Sequence, residues 1–173
     1  MSIGTLRAVL GERPVVRLMP NTPAQIGEGV SVWTATPDCT AEQRAQARAM
    51  FGALGEEVYV DDEAYLDMAT ALSGSGPGYV FLFIEALIDA GVRIGLARAV
   101  AEKLALQTVK GSALYAQRSG QHLAALRNAV TSPGGTTAAG LHQLERGGLR
   151  AAIEDAVAAA YERSRQLGGT ERG

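Results

Sequence analysis

The spacing of apolar residues changes character near residue 62. Before that point, short apolar runs of strand length are separated by turn residues. Pro14–Met19 (PVVRLM), Gly29–Thr34 (GVSVWT) and Glu57–Val60 (EVYV) predict three strands. Thr5–Leu10 reads as the end of a helix stopped by Gly11, and Pro20-Asn21-Thr22-Pro23 as a turn. Thr40 is placed to cap a helix, with Gln43 three residues on as its capping-box partner. That helix is expected to run to about Leu54 and to stop at Gly55. From Glu63 onward the period is helical throughout. Helices are expected over 64–71, 77–92, 97–118, 121–129, 134–146 and 148–167, with glycine-rich joints at 73–78, 119–120 and 147–148. The fold class is therefore mainly α: a helical bundle over 63–168 preceded by a short α/β segment over 1–62. Residues 169–173 are expected to form a disordered tail.

One helix departs from the amphipathic norm. Tyr79–Ala90 is apolar nearly all round, broken only by Glu85 and Asp89. Such a helix needs partners on every side, and a chain of 173 residues cannot bury several of them. A second subunit is expected to cover part of this surface. The closing helix, Ala151–Leu167, is Ala-rich and amphipathic.

Composition narrows the chemistry. The chain is 47% hydrophobic with a net charge of -2 and no basic block, which argues against nucleic acid as a partner. A single cysteine, Cys39, excludes an intramolecular disulfide, and with only His122 and His142 no Cys/His metal cluster can be assembled. No charged region followed by an apolar run opens the chain, and the longest apolar run, Tyr79–Ile84, is short of the roughly 20 residues that span a bilayer. A soluble, cytoplasmic protein without a membrane partner is expected.

Two segments are unusual. Thr131–Thr137 (TSPGGTT) reads as a helix start able to hold a small anion. Ser132 is placed as the N-cap and Pro133 as the first helical residue. Gly134 and Gly135 leave the backbone open to a ligand, and Thr136 and Thr137 add hydroxyls beside free N–H groups at the positive end of the helix dipole. A well-capped helix that binds nothing has the same signature. Leu72–Pro77 (LSGSGP) suggests a tight joint, either for close packing alone or with a ligand near Ser73 and Ser75. Glu63 is placed either to favour the following helix dipole or to meet a cationic nitrogen. Glu85 and Asp89 share a helix face, as an acid–base pair or as a solvated stripe. Cys39, in the polar turn PDCT, has no nearby His to activate it. The chain has no G-x-S-x-G elbow, Walker loop, H-E-x-x-H or G-x-G-x-x-G.

Taken together, RLMPNTP (Arg17–Pro23), ALSGSGPGYVF (Ala71–Phe81) and TSPGGTTAAGL (Thr131–Leu141) resemble pyrroline-5-carboxylate reductase over Ser2 to about Gly168. The resemblance implies a reductase that makes proline by hydride transfer from NADPH or NADH to 1-pyrroline-5-carboxylate. It implies that residues 1–62 are the last strands of a Rossmann-type dinucleotide-binding domain, whose glycine fingerprint should lie upstream of Met1. It implies that 63–168 form the helical dimerisation and substrate-binding domain of a homodimer, which in the family assembles further into decamers. By the same resemblance, backbone N–H groups of Thr136 and Thr137 bind the substrate carboxylate, with Gly134 and Gly135 beside them. The Thr137 hydroxyl acts at the ring nitrogen, Ser132 borders the site, and Glu63 lies close to the substrate. Val130 packs near nicotinamide and ring, and Met19, Pro20 and Asn21 form the loop facing the nicotinamide. Two positions depart from the family pattern: Ala129 stands where Asn or Gln is frequent, with Asn128 one residue early, and Gly78 stands where Ala is usual. The alternative is a non-catalytic helical dimerisation module derived from that family. A 3-hydroxyacid-type dehydrogenase would need a lysine at a glycine-rich joint, and neither Lys103 nor Lys110 sits in one.

Overall fold

The computed structural model describes residues 1–168. By compactness the chain divides into Met1–Gly78 with the chain from Asp155 onward, and Tyr79–Glu154. The expected boundary at residue 62 marks a change of texture inside the first unit. The expected tail, 169–173, lies outside the described residues.

The first unit opens with α1 (Ile3–Leu10), whose N-cap Ser2 accepts the Thr5 N–H and which ends at Gly11. Three strands follow: β1 (Val16–Met19), β2 (Gly29–Ala35) and β3 (Gly55–Tyr59). β1 and β2 are antiparallel, Val16 facing Ala35 and Met19 facing Val32. β2 and β3 are parallel, Gly29 facing Gly55 and Trp33 facing Tyr59. The crossover between them is α2 (Ala41–Gly52), which starts with the expected Thr40–Gln43 capping box. Between β1 and β2 the expected turn tightens into a 3₁₀ helix, Thr22–Ile26, with Pro23 in its first turn. Gly55, expected to stop α2, instead opens β3. Its φ is +128°, and a Cβ there would collide with the Gly29 carbonyl, so the parallel pairing begins on two bare residues.

The core of this unit is built around Trp33, with Ala35, Cys39 and Ala47, flanked by Val16, Leu18, Phe51 and Tyr59. The Trp33 ring meets Tyr59 and Phe51 edge-on, with centroids at 4.8 and 5.6 Å. Its indole N–H donates to Glu57, which also pairs with Arg48 at 3.0 Å. α3 (Tyr65–Ala69) buries Leu66 and Asp67 and packs on β1 and β2, so β2 is covered on both faces. Asp67 is satisfied from α8 (Leu149–Gly168), where Ser164 donates to it at 2.8 Å.

Beyond α3 the expected break at 73–78 is not a break. A π-helical turn, Thr70–Gly74, carries the chain into α4 (Gly76–Arg93). By length and composition alone, the run Tyr65–Arg93 could cross a membrane, and only 6% of its most apolar window is buried within the chain. The second unit continues with α5 (Arg98–Ser119), α6 (Leu123–Ala129) and α7 (Thr136–Arg146). No strand occurs after residue 62 among the described residues. α4 and α5 touch where a Cβ on Gly91 would lie 2.9 Å from the Ala101 methyl. Arg98 pairs with Asp89 across the same joint at 2.8 Å. Arg150, at the start of α8, clamps Glu145 at 2.8 Å. That contact holds the Glu145 carboxyl below its ordinary value. α4 has no buried residue, and Phe81 and Leu82 are 60% and 66% exposed.

Truncating Trp33 removes the ring against which Phe51 and Ala47 of α2 and Tyr59 of β3 pack. Trp33→Ala is expected to cost about 3–5 kcal/mol in urea unfolding, against about 1 kcal/mol for the exposed cap substitution Thr40→Ala.

Candidate functional site

The segment 130–137 lies wholly in the second unit, and its geometry differs from the sequence expectation. Ser132 is not the N-cap of α7, and Pro133 is not its first residue. The helix begins at Thr136 with Gly135 as N-cap, and no side chain caps it. Ser132-Pro133-Gly134-Gly135 instead closes a β-turn, the Gly135 N–H bonding to the Ser132 carbonyl at 3.0 Å. Gly134 has φ +69°. Pro at the second position and a left-handed residue at the third define a type II turn. The physical reason is that two consecutive glycines are weak helix formers, whereas Pro-Gly fits the turn. A Cβ on Gly135 would collide with the Ser132 hydroxyl, so that hydroxyl lies back over the turn.

The consequence favours a ligand more than the expected cap does. Thr136 and Thr137 become the first two helical residues, and the first N–H groups of an α-helix have no acceptor within it. With no capping side chain, those donors face outward at the positive end of the dipole. Thr136 is exposed and Thr137 half-buried, so both hydroxyls and the backbone are within reach of a small anion. Val130 follows α6 directly and is 65% exposed. Thr131, not singled out in the sequence, holds this corner: its hydroxyl donates to the Arg127 carbonyl at 2.6 Å and its N–H to the Asn128 carbonyl at 3.0 Å. His122 caps α6, its Nδ1 accepting the Ala124 N–H, a helix-end role.

Glu63, Met19, Pro20 and Asn21 lie in the first unit. Glu63 does serve a helix start, but that of α1: its Oε1 accepts the Ile3 N–H and an Arg17 N–H, each at 2.7 Å. Arg17 was quoted in the sequence without a role. The signal was a lone cation within the apolar run PVVRLM. Both side chains are partly shielded, 19% and 30% exposed. Glu63 and Arg17 also line an open cavity of about 550 Å³, together with Ser2, Asp62, Asp67 and Tyr161. Asn21 has its Oδ1 engaged by the Val30 N–H at 3.0 Å, which uses one of its two acceptor lone pairs and orients its amide group. Pro20 is exposed, and Met19 is half-buried against Gly74. No group of three or more His, Cys, Asp and Glu that could hold a metal occurs among the described residues.

Three strands of a Rossmann-type sheet leading into a helical domain define the class of protein. A family model described as pyrroline-5-carboxylate reductase dimerisation matches residues 63–167. The chain is 46% identical over 167 residues to the pyrroline-5-carboxylate reductase of Arabidopsis thaliana, covering 96% of this chain and 60% of the relative. It is 47% identical over 168 residues to that of a Synechocystis strain, covering 97% and 62%. Among solved structures it is similar to the Plasmodium falciparum pyrroline carboxylate reductase with NADP bound, with TM-score 0.91 and 39% identity over 97% of this chain and 68% of that one. It is also similar to the Coxiella burnetii enzyme, with TM-score 0.92 and 38% identity over 96% and 62%. The chain belongs to the pyrroline-5-carboxylate reductase family. It spans about three fifths of the length of the curated relatives it matches.

A clamp role for Glu63 has a measurable signature. Glu63→Gln keeps an acceptor for Ile3 and Arg17 and is expected to cost about 1 kcal/mol. Glu63→Ala leaves a half-shielded guanidinium and a helix N–H unpaired and is expected to cost about 2–3 kcal/mol, read from urea unfolding.

Proposed function

We propose that the chain is the substrate-binding and dimerisation portion of an NAD(P)H-dependent pyrroline-5-carboxylate reductase, which reduces the imine of 1-pyrroline-5-carboxylate to L-proline. Residues 1–62 belong, in this reading, to the dinucleotide-binding domain and 63–168 to the helical domain. The observation that carries the reading is the uncapped start of α7 behind the Ser132–Gly135 turn, in a chain of this family. N–H groups of Thr136 and Thr137 hold the substrate carboxylate there, and the open backbone of Gly134 and Gly135 lets it approach. The Thr137 hydroxyl is the donor beside the ring nitrogen, Ser132 shapes the turn, and Val130 offers an apolar wall.

The residues at the cofactor side suit a flat, uncharged ring. Pro20 is exposed, Met19 lies against Gly74, and Asn21 is tied back to Val30, so Met19 and Pro20 offer an apolar surface bordered by the Asn21 amide. When bound, the cofactor supplies the hydride that adds to the imine carbon. What remains for the protein is orientation, which the carboxylate clamp supplies, and a path for one proton to nitrogen; the Thr137 hydroxyl donates a hydrogen bond there and, as it passes its proton on, takes a replacement from solvent water, so that no metal or activated nucleophile is needed. Glu63, ion-paired with Arg17 at 2.7 Å, holds the start of α1.

The exposed apolar helices are the homodimer surface in this reading. α4 without a buried residue is a half-interface that a second copy covers. Burial in such an interface accounts for the apolar run Tyr65–Arg93 without a bilayer.

Three measurements on the purified chain test the proposal. Sedimentation should give twice the chain mass, and a monomer at micromolar concentration refutes the interface. NADPH should bind more weakly than low-micromolar, because no G-x-G-x-x-G cradle is among the 173 residues. L-Proline, the product, should shift the amide resonances of Gly135, Thr136 and Thr137 in a titration. Proline that moves none of them at saturating concentration removes the assignment of the carboxylate site.

A further inference from the structure

The LSGSGP motif is the one unusual segment that the proposed reaction leaves unused. In the structure it runs from the π-helical turn Thr70–Gly74 into the first two residues of α4. The Ser75 N–H reaches back five residues to the Thr70 carbonyl at 2.8 Å. The hydroxyls of Thr70 and Ser73 donate to the carbonyls of Leu66 and Ala69 at 2.6 and 2.9 Å. Single π-turns of this kind inside helices are frequent at functional sites. Gly74 ends the turn, and its φ is not in the left-handed region, so the backbone there does not call for glycine. Glycine also disfavours helix formation relative to other residues except proline. What calls for it is space. A Cβ on Gly74 would lie 2.5 Å from the Met19 methyl, and the next neighbours, the Thr70 methyl and the Ala69 carbonyl, are at 3.7 and 3.9 Å.

Met19 is the last residue of β1 and the first of the loop 19–21, and the other end of that loop is tied by Asn21 to the Val30 N–H. We infer that the LSGSGP turn is a seat for the Met19 side chain, and that Gly74 is a positioning residue which fixes the surface this loop offers. The inference rests on the reading of Met19–Asn21 as the loop that faces the nicotinamide. Methionine has three rotatable bonds and a soft thioether, so by itself it presents a moving surface. Packed into the bare wall of the π-turn it holds one rotamer, and a ring stacked on the loop meets a fixed floor. The seat also explains why glycine is tolerated in a helical segment here: the side chain that fills its place comes from a residue 55 positions earlier.

The test uses the 173-residue chain labelled at its methionine methyls. Four methyl signals are expected, from Met1, Met19, Met50 and Met68, with Met19 assigned by Met19→Leu. In Gly74→Ala the Met19 methyl and the amides of Asn21 and Val30 should shift, and hydrogen exchange at the Val30 amide should become severalfold faster. The thermal midpoint should stay in place, since the displaced atom is the end of a flexible side chain. Shortening the intruder in Gly74→Ala with Met19→Ala should return the two amides to their original positions. Unmoved loop amides in Gly74→Ala overturn the inference, as does a drop in thermal midpoint with the loop unchanged, because either makes Gly74 a packing residue only. NADPH at millimolar concentration should move the Met19 methyl of the unaltered chain and should do so at severalfold higher concentration in Gly74→Ala. If NADPH leaves that methyl still while Gly74→Ala shifts it, the cofactor role of the loop falls and the seat itself stands.

Discussion

β2 is buried on both faces and paired on both edges, and the first unit is arranged around that requirement. Ser31, Trp33 and Thr34 are almost wholly enclosed. A strand in this position needs a helix on each side and a neighbour along each edge. α2 and α3 supply the faces, and β1 and β3 supply the edges. The parallel edge is the demanding one, since it requires a crossover helix and a close start. The Thr40–Gln43 capping box begins the crossover, and the contact of Gly55 with Gly29 permits the start. Once β2 is fixed, Met19 is fixed opposite Val32, and the Arg17–Glu63 pair joins β1 to the beginnings of α1 and α3.

The second unit is under the opposite constraint. Of its residues only Ala101 and Ala105 are buried, while α4 turns large aromatic and aliphatic side chains outward. A chain cannot leave such a surface in water without cost, at about 25 cal/mol per Å² of apolar area. The chain by itself thus leaves apolar surface uncovered in this half, and the family model that matches here is that of a dimerisation region. In the proposed dimer a second copy finishes these helices, and polar clamps such as Arg98–Asp89 and Arg150–Glu145 sit at the joints.

The candidate site follows from turn chemistry rather than from charged groups. The type II turn at 132–135 starts α7 at Thr136 instead of Pro133 and hands its first N–H groups to whatever lies outside. The π-turn at 70–74 leaves a bare wall where Met19 packs. In both places glycine removes a side chain so that something else can occupy the space.

Much of this protein was determined by its sequence alone. The change from strand-length runs to a helical period at residue 62, the Thr40 cap and nearly every helix follow from local propensity and spacing, which act over a few residues. The blocks RLMPNTP, ALSGSGPGYVF and TSPGGTTAAGL, local as well, marked the family. Tertiary structure decided what depends on partners distant in the chain. Glu63 found Ile3 and Arg17 instead of capping its own helix. Gly55 became a strand residue because Gly29 lies beside it, and Gly74 of LSGSGP meets the Met19 side chain from 55 positions earlier. Ser132 lost its capping role to a turn that only the fold of the two following glycines resolves. A spacing rule sees neighbours in sequence, and each of these outcomes was set by space left or taken by atoms in three dimensions.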